Sequence, residues 1–386
     1  MYQIDALVIG ANHHNTLGIV ESLSEKQIYP YVIIYEDCDD TYIRHSKNIS
    51  GYKICRNESS LLETLVSNFL LGTKKIPIIT TSDDAALIID NNLDTLSEYY
   101  VCPGVSNKGL LQFWMNKHHM TNLARELDIL VPESWTVINF EDCNYVKYPC
   151  ITKSIISAKN GKKDMNVFND ARELSTFLDG LKSSSVIQVQ SYIQKDFEFQ
   201  YIGCSLENGR EIIIPGKTYI DRPNGIDNTF FLEYKSLDAA DQVLIGKIKE
   251  FIKRVGYSGL FSVEFIRDKD GYDYFLEMNF RNDGNAYCVT SAGVNLPLIW
   301  VESKGQANNY EKSNYSLSKT FLLPEFYYFL RMLGGEVTFS PWYKNIKLAT
   351  CCTTYFRNDK KPFVYFLLNQ MNLIIKDRIN RVFKCF

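Results

Sequence analysis

A chain of 386 residues with 45% apolar residues is long enough for two or three domains, each with a core of its own. A formal net charge of −3 offers no basic field for a polyanion, which sets nucleic acid aside as a partner. The ten cysteines form no Cys-x-x-Cys pair, and only Cys351 and Cys352 stand together, so they read as reduced thiols and not as a metal cage.

Residues 4–9 form a mostly apolar strand ending at Gly10, and a polar turn leads into a helical run over 16–24. Strands follow at 31–35 and 76–80, with an acidic run over 36–40 after the first. Strands alternating with helices predict a parallel sheet with ligands at the strand C-terminal ends. The turn at 10–15 lacks the glycine spacing of a dinucleotide fingerprint, which argues against an NAD site. Its His13 and His14 read as a solvated turn, with substrate contact as the rival reading. Residues 108–127 are predicted as one helix, with Leu110, Trp114, Leu123 and Leu127 near one stripe and Pro132 beyond its end.

A short strand over 148–153 closes on Lys153, and 154–166 is rich in Ser, Lys and Gly. Lysine is a compact charge and a closing loop excludes water, so this pairing suits the covering of phosphates; a solvated turn is the alternative. Further strands are predicted at 185–189, before Gln190, and at 211–215, before Lys217. Arg222 then opens a long loop that reaches Asn228. Residues 239–255 read as an amphipathic helix with Gly256 as its C-cap.

Two strands, 261–267 (Phe-Ser-Val-Glu-Phe-Ile-Arg) and 272–279 (Tyr-Asp-Tyr-Phe-Leu-Glu-Met-Asn), flank the turn Asp268-Lys269-Asp270-Gly271. Alternation sends Glu277 and Asn279 to one side, and the hairpin brings Glu264 to the same face. Two carboxylates and an amide oxygen in an otherwise apolar sheet repel one another and lose solvation. A hard divalent cation relieves both problems, and magnesium in particular takes oxygen ligands completed by substrate phosphates. A solvated sheet face is the bland alternative.

Residues 257–265 and 275–281, followed by 292–297 (Ala-Gly-Val-Asn-Leu-Pro), resemble the metal-binding core of the ATP-grasp ligases. Residues 117–132 resemble the helix that leads into that fold, and the likeness extends over roughly 1–305. The carbamoyl-phosphate-synthase-like and D-aspartate-ligase-like branches are the nearest in pattern, the latter through a loose likeness over 342–362. The resemblance implies an α/β (α+β) ATP-grasp fold. Its expected parts are a Rossmann-like pre-ATP-grasp domain at 1–105, an ATP-grasp domain at 106–305 with a lid at 135–190 and a metal-binding core at 191–305, and a C-terminal extension at 306–386.

It also implies roles. Lys153 and Lys163 (or Lys162) match the two phosphate-binding lysines, Gln190 with the backbone of Tyr192 and Ile193 the adenine hinge, and Asp196 or Glu198 the ribose contact. Glu264, Glu277 and Asn279 would hold Mg²⁺, or Mn²⁺ in its place. Lys217 and Arg281 are the cations expected to balance phosphate charge during transfer. Arg222 can grip a substrate carboxylate through two parallel hydrogen bonds, and Asn282, Asp283 and Asn285 lie next to the metal strand where an acceptor would sit.

The implied activity is an ATP-dependent carboxylate–amine ligase acting through an acylphosphate on small-molecule substrates. An ATP-binding protein without turnover and a biotin-carboxylase-like carboxylase are the alternatives. No biotin-attachment Met-Lys-Met occurs. Met1–Gly10 region chemistry, with Asp5 inside it, fits no secretory leader, and the late apolar stretches 321–333 and 362–375 are interrupted by polar residues short of the roughly 18–20 a span needs. A cytoplasmic protein without a transmembrane segment is expected, and a homodimer is compatible with it. Residues 320–333 read as an aromatic-rich helix ending at Gly334-Gly335, and the tail over 365–386 reads as a helix ending basic in Lys376, Arg378, Arg381 and Lys384. Packing on the core is the expected arrangement, and an anionic membrane surface is the rival.

Overall fold

The computed structural model describes residues 4–68, 74–137, 141–153, 166–180, 187–220, 231–307 and 317–383. Five parallel strands, β1 Leu7–Gly10, β2 Tyr31–Tyr35, β3 Gly51–Cys55, β4 Ile76–Thr80 and β5 Tyr100–Val101, lie in the order β3-β2-β1-β4-β5. All of β1 and the centre of β2 are buried, as continuous apolar strands covered on both faces must be. Strand order reverses between β1 and β4, the point at which such sheets bind ligands. The helices His14–Ser24 and Asp83–Asn91 start there.

A four-stranded antiparallel sheet follows, with β6 Ser134–Val137, β7 Cys150–Lys153, β8 Val167–Phe168 and β9 Ile187–Ser191 in the order β6-β9-β7-β8. The large sheet has eight strands: β10 Lys195–Leu206, β11 Glu211–Ile213, β12 Gly216–Ile220, β13 Leu232–Ser236, β14 Gly259–Asp268, β15 Asp273–Asn279, β16 Thr320–Leu323 and β17 Cys351–Cys352. Its order is β15-β14-β10-β12-β13-β16-β17, with β11 beside β10. Helix Asp241–Val255 covers one face, and its Ile245, Ile248, Phe251 and Ile252 share a core with Phe199, Tyr201, Val263 and Phe265. That helix stops where Gly256 takes the left-handed conformation at φ 71°, which only glycine adopts without a Cβ penalty.

Three local expectations change. The predicted helix over 108–127 is two helices, Leu110–Trp114 and Lys117–Glu126, because the Asn116 side chain accepts the His118 N–H and starts a new one. Residues 320–333 are not one helix. Pro324 separates β16 from helix Glu325–Leu333, and β16 and β17 extend the large sheet. The tail helix starts early, at Lys361, and Phe366 packs 5.3 Å from the Tyr42 ring. Val8 and Leu17, Ile202 and Leu260, and Phe356 and Phe366 belong to one core, so first and last segments close over the same apolar interior.

Candidate active site

The register of β10 decides which side chains share a face. Gln200 lies opposite Glu264 on one side and Thr218 on the other, whereas Tyr201 lies opposite Val263 and Lys217. In the hairpin, Glu277 pairs with Glu264 and Asn279 with Ser262. Gln200, Thr218, Ser262, Glu264, Glu277 and Asn279 therefore form one polar face. Directly opposed residues hold their Cβ atoms about 4.5–5.5 Å apart, close enough for the two carboxylates to repel.

Donors gather on this pair. Lys117 Nζ stands 3.3 Å from Glu277 Oε2, and Asn279 Nδ2 donates to Glu264 Oε1 at 3.1 Å. The other end of the Asn279 amide accepts from Arg281 at 3.3 Å. Arg281 reaches across to the N-terminal sheet, where its Nε meets Asp83 Oδ1 at 2.7 Å. Burial opposes its charge, but Asp83, Asp283 and Glu264 outweigh that and hold the guanidinium above its ordinary value. The buried Gln200 Oε1, opposite Glu264, finds no donor among the described residues.

This donor set fits a hard cation. Two carboxylates supply oxygen, the Asn279 amide oxygen that here accepts from Arg281 lies next to them, and Gln200 leaves one more oxygen unanswered. Among the described residues no three His, Cys, Asp or Glu side chains gather into an all-protein cage. Few protein ligands and hard oxygen are what a magnesium ion shared with phosphates requires, whereas zinc would want nitrogen or sulfur.

The segment after β15 differs from expectation. Asn282, Asp283 and Asn285 are buried. Asn282 and Asn15 exchange hydrogen bonds, with Asn15 Nδ2 donating to the Asn282 carbonyl at 2.8 Å. Asp283 accepts from Gln200 Nε2 and Ser262 Oγ, each at 2.9 Å, and from the Asn285 N–H at 2.8 Å. Asn282 and Asp283 thus anchor the loop against the polar face, with their side chains engaged in internal hydrogen bonds. Asn285 is buried in the same loop.

Lys217 requires the clearest correction. It sits on the opposite face of the large sheet, buried, with Nζ 2.5 Å from Asp241 Oδ1 and Tyr201 OH donating to the same oxygen at 2.9 Å. Parity along β12 turns it away from Glu264, so it does not face phosphates bound there. Desolvation works against its charge, but the Asp241 partner raises its pKa. Among the nucleotide candidates, Lys153 ends β7 and Gln190 lies in β9, between β6 and β7, with Nε2 3.4 Å from Ser134 Oγ. The Tyr192 N–H donates to the Pro149 carbonyl at 3.0 Å, and Ile193 follows it beyond the end of β9. Glu198 shares the polar face and pairs with Lys195 at 3.1 Å, while Asp196 is exposed at the register shift of β10. Lys162, Lys163 and Arg222 lie outside the described residues.

No protein-family model matches the chain. A D-aspartate ligase of Enterococcus faecium (strain Aus0004) is 21% identical over 272 residues, 64% of this chain and 63% of that protein's length. N5-carboxyaminoimidazole synthetase from Staphylococcus aureus complexed with ADP superposes with a TM-score of 0.66 at 15% identity, covering 88% of this chain and 87% of that one. The fold is that of the ATP-grasp ligases. L-amino acid ligase from Bacillus licheniformis gives a TM-score of 0.63 at 14% identity, over 83% of this chain and 80% of the other. Biotin carboxylase from Campylobacter jejuni, in a β-γ-ATP complex, gives 0.63 at 15% over 83% and 75%.

Two features of this site escape a reading of the sequence. Lys117 is the first residue of its helix, where a cation opposes the helix dipole, and that misfit was the available signal. His13 and His14 were read as a solvated turn. His13 is open to solvent, yet a Cβ on Gly284 would lie 3.0 Å from His14 Nε2 and 3.7 Å from His13 Cε1. His13 Nδ1 accepts the Asn15 N–H, which fixes the ring at the start of the first helix, beside the loop that follows β15.

Proposed function

We propose that the protein is an ATP-dependent carboxylate–amine ligase. The observation that carries this reading is the opposed pair Glu264 and Glu277, bracketed by Asn279, Lys117 and Arg281 on one sheet face. A substrate carboxylate oxygen attacks the γ-phosphorus of ATP, the β–γ bridging bond breaks, and ADP leaves. The amine nitrogen then bonds to the acyl carbon, the carbon–oxygen bond to phosphate breaks, and the nitrogen gives up a proton as the amide forms. Magnesium held by Glu264, Glu277 and Asn279 supplies charge neutralisation at the phosphates when bound.

Arg281, charged and fixed by Asp83, opposes the negative charge that develops on the transferring group. Lys117 is placed to move between Glu277 and a phosphate oxygen. Asp283 holds Ser262 and Gln200 in place and keeps the floor of the site rigid. Catalysis then consists of positioning and electrostatics, with no protein nucleophile. The names of two of the similar proteins, a D-aspartate ligase and an L-amino acid ligase, support an amino acid as one of the substrates. The test is ADP release with candidate carboxylates and amines, parent against Glu277→Ala. Equal ATP turnover by the two would overturn the reading.

A further inference from the structure

The last sixty-nine residues of the sequence, 318–386, carry eleven Lys and Arg against four Asp and Glu, a net charge of +7. The whole chain is −3, so the residues before them carry −10. Between 337 and 358 there is no acidic residue, while Lys344, Lys347 and Arg357 lie there. Charge so unevenly divided between two parts of one chain points to an interaction surface on the basic part.

The same part exposes apolar side chains. Helices Glu325–Leu333 and Phe339–Leu348 form a hairpin joined by Phe329 and Trp342, whose rings stand 6.0 Å apart. No side chain of Phe339–Leu348 is buried, although it contains Phe339, Trp342, Tyr343, Ile346 and Leu348. Phe339 is 64% exposed and Leu333 63%. The tail helix Lys361–Phe383 is tied to the hairpin where Phe366 meets Phe326 at 5.5 Å, and one of its faces leaves Val364, Leu368 and Met371 exposed at helical spacing. Single exposed apolar residues need no explanation, but a ten-residue helix with five aromatic and aliphatic side chains and none of them buried does.

We propose that this basic, apolar C-terminal face docks on an anionic lipid surface. Lysine beside Trp and Tyr with aliphatic neighbours is the composition of helices that lie in the headgroup region. Among the described residues no helix is long and apolar enough to cross a membrane, so the contact is peripheral. A symmetric pair of copies would set +7 against +7, and a head-to-tail pairing onto the acidic body would build a ring or a filament, which sedimentation equilibrium would reveal. A nucleic acid would use the lysines but leave Leu333, Leu368 and Met371 uncovered. Juxtamembrane basic residues on an anionic leaflet gain from the surface potential while the apolar side chains insert.

The experiment is co-sedimentation of the full chain with vesicles of phosphatidylglycerol and phosphatidylcholine, and with phosphatidylcholine alone. Binding to the anionic vesicles only, weakened by added salt, is the expected result. Lys344→Glu with Lys347→Glu should weaken it by about tenfold or more, since each reversed charge both removes an attraction and adds a repulsion. Leu333→Ser with Phe339→Ser should weaken it as well, both pairs melting like the parent by circular dichroism because the altered side chains are exposed. Equal binding to both vesicle types, no binding, or indifference to both variant pairs would overturn the proposal. So would a dimer in sedimentation equilibrium that Phe339→Ser dissolves while vesicles bind neither form.

Discussion

The two faces of the large sheet each bury charge, and they do so in opposite ways. On the covered face Lys217 meets Asp241, and Tyr201 completes the same carboxylate, so one cation answers one anion inside an apolar layer. On the other face two carboxylates stand directly opposed, with a lysine and an arginine arriving from other elements. A satisfied pair can be closed over by a helix, as Asp241–Val255 closes over this one. Opposed like charges can be closed over only when one of them takes a proton, and otherwise must stay open to whatever neutralises them. The difference separates structure from chemistry more sharply than residue type does, since a lysine and a carboxylate occur on both faces.

The largest expected effect lies on the open face. Glu277→Ala should lower ADP release by roughly 10³-fold, about 4 kcal/mol in the barrier, with little change in the unfolding midpoint. A steady-state ADP assay beside a urea titration checks both halves. The converse holds for the covered face. Lys217→Met leaves Asp241 buried and unpaired and should cost about 3 kcal/mol of stability. Activity per folded molecule should stay near that of the parent, so a large loss of turnover in correctly folded Lys217→Met would put the lysine back in the chemistry.

How far the sequence carried this depends on the range of each interaction. The hairpin was legible because alternation is local: Glu277 and Asn279 are two residues apart, and a strong turn sets Glu264 opposite. The helix ended by Gly256 was legible for the same reason, since apolar spacing and a cap lie within one segment. Lys217 was misplaced because its face is set by the pairing of β12 with β10, which nothing near residue 217 encodes. Asn282 looked free for a substrate because its partner Asn15 is 267 residues away. The strand β16 was hidden in an aromatic run that continues helical beyond Pro324, and only its pairing with β13 and β17 marks it as sheet. Lys117 could have been noticed, since a lysine at a helix start needs a reason other than the helix.

Another buried acid sharpens the contrast. Glu21 in the first helix is buried against Asp359, in the turn before the tail helix, with Asn48 donating to both its oxygens at 3.2 and 3.1 Å and Lys47 nearby. Burial, then the Asp359 charge, raises its pKa to about 8 from 4.5. This buried pair is relieved by a proton, with the nearby Lys47 the weakest of the influences on Glu21. A folded value above the unfolded one means that stability is complete below about pH 4.5 and falls as pH rises towards about 8. The fall should be about 2 kcal/mol, less than the full shift implies because neighbours rearrange as the group ionises. Urea midpoints across that window should decline in the parent and much less in Glu21→Gln. An equal decline would place the titrating group elsewhere.

The smallest expected effect asks whether the covered face can weaken without the open face noticing. Gly256 ends the helix that covers Lys217 and Asp241, at φ 71°, and a Cβ built there meets nothing within 4 Å. Gly256→Ala therefore adds no clash and costs only the left-handed backbone, about 1 kcal/mol. The hairpin follows three residues later, but its register is held by ten paired positions along β10, not by the helix end. Stability should fall by that amount while ADP release per folded molecule holds. If turnover fell in step with stability, the two faces would be one cooperative unit, and the separation between a structural ion pair and a chemical one would fail at its mildest test.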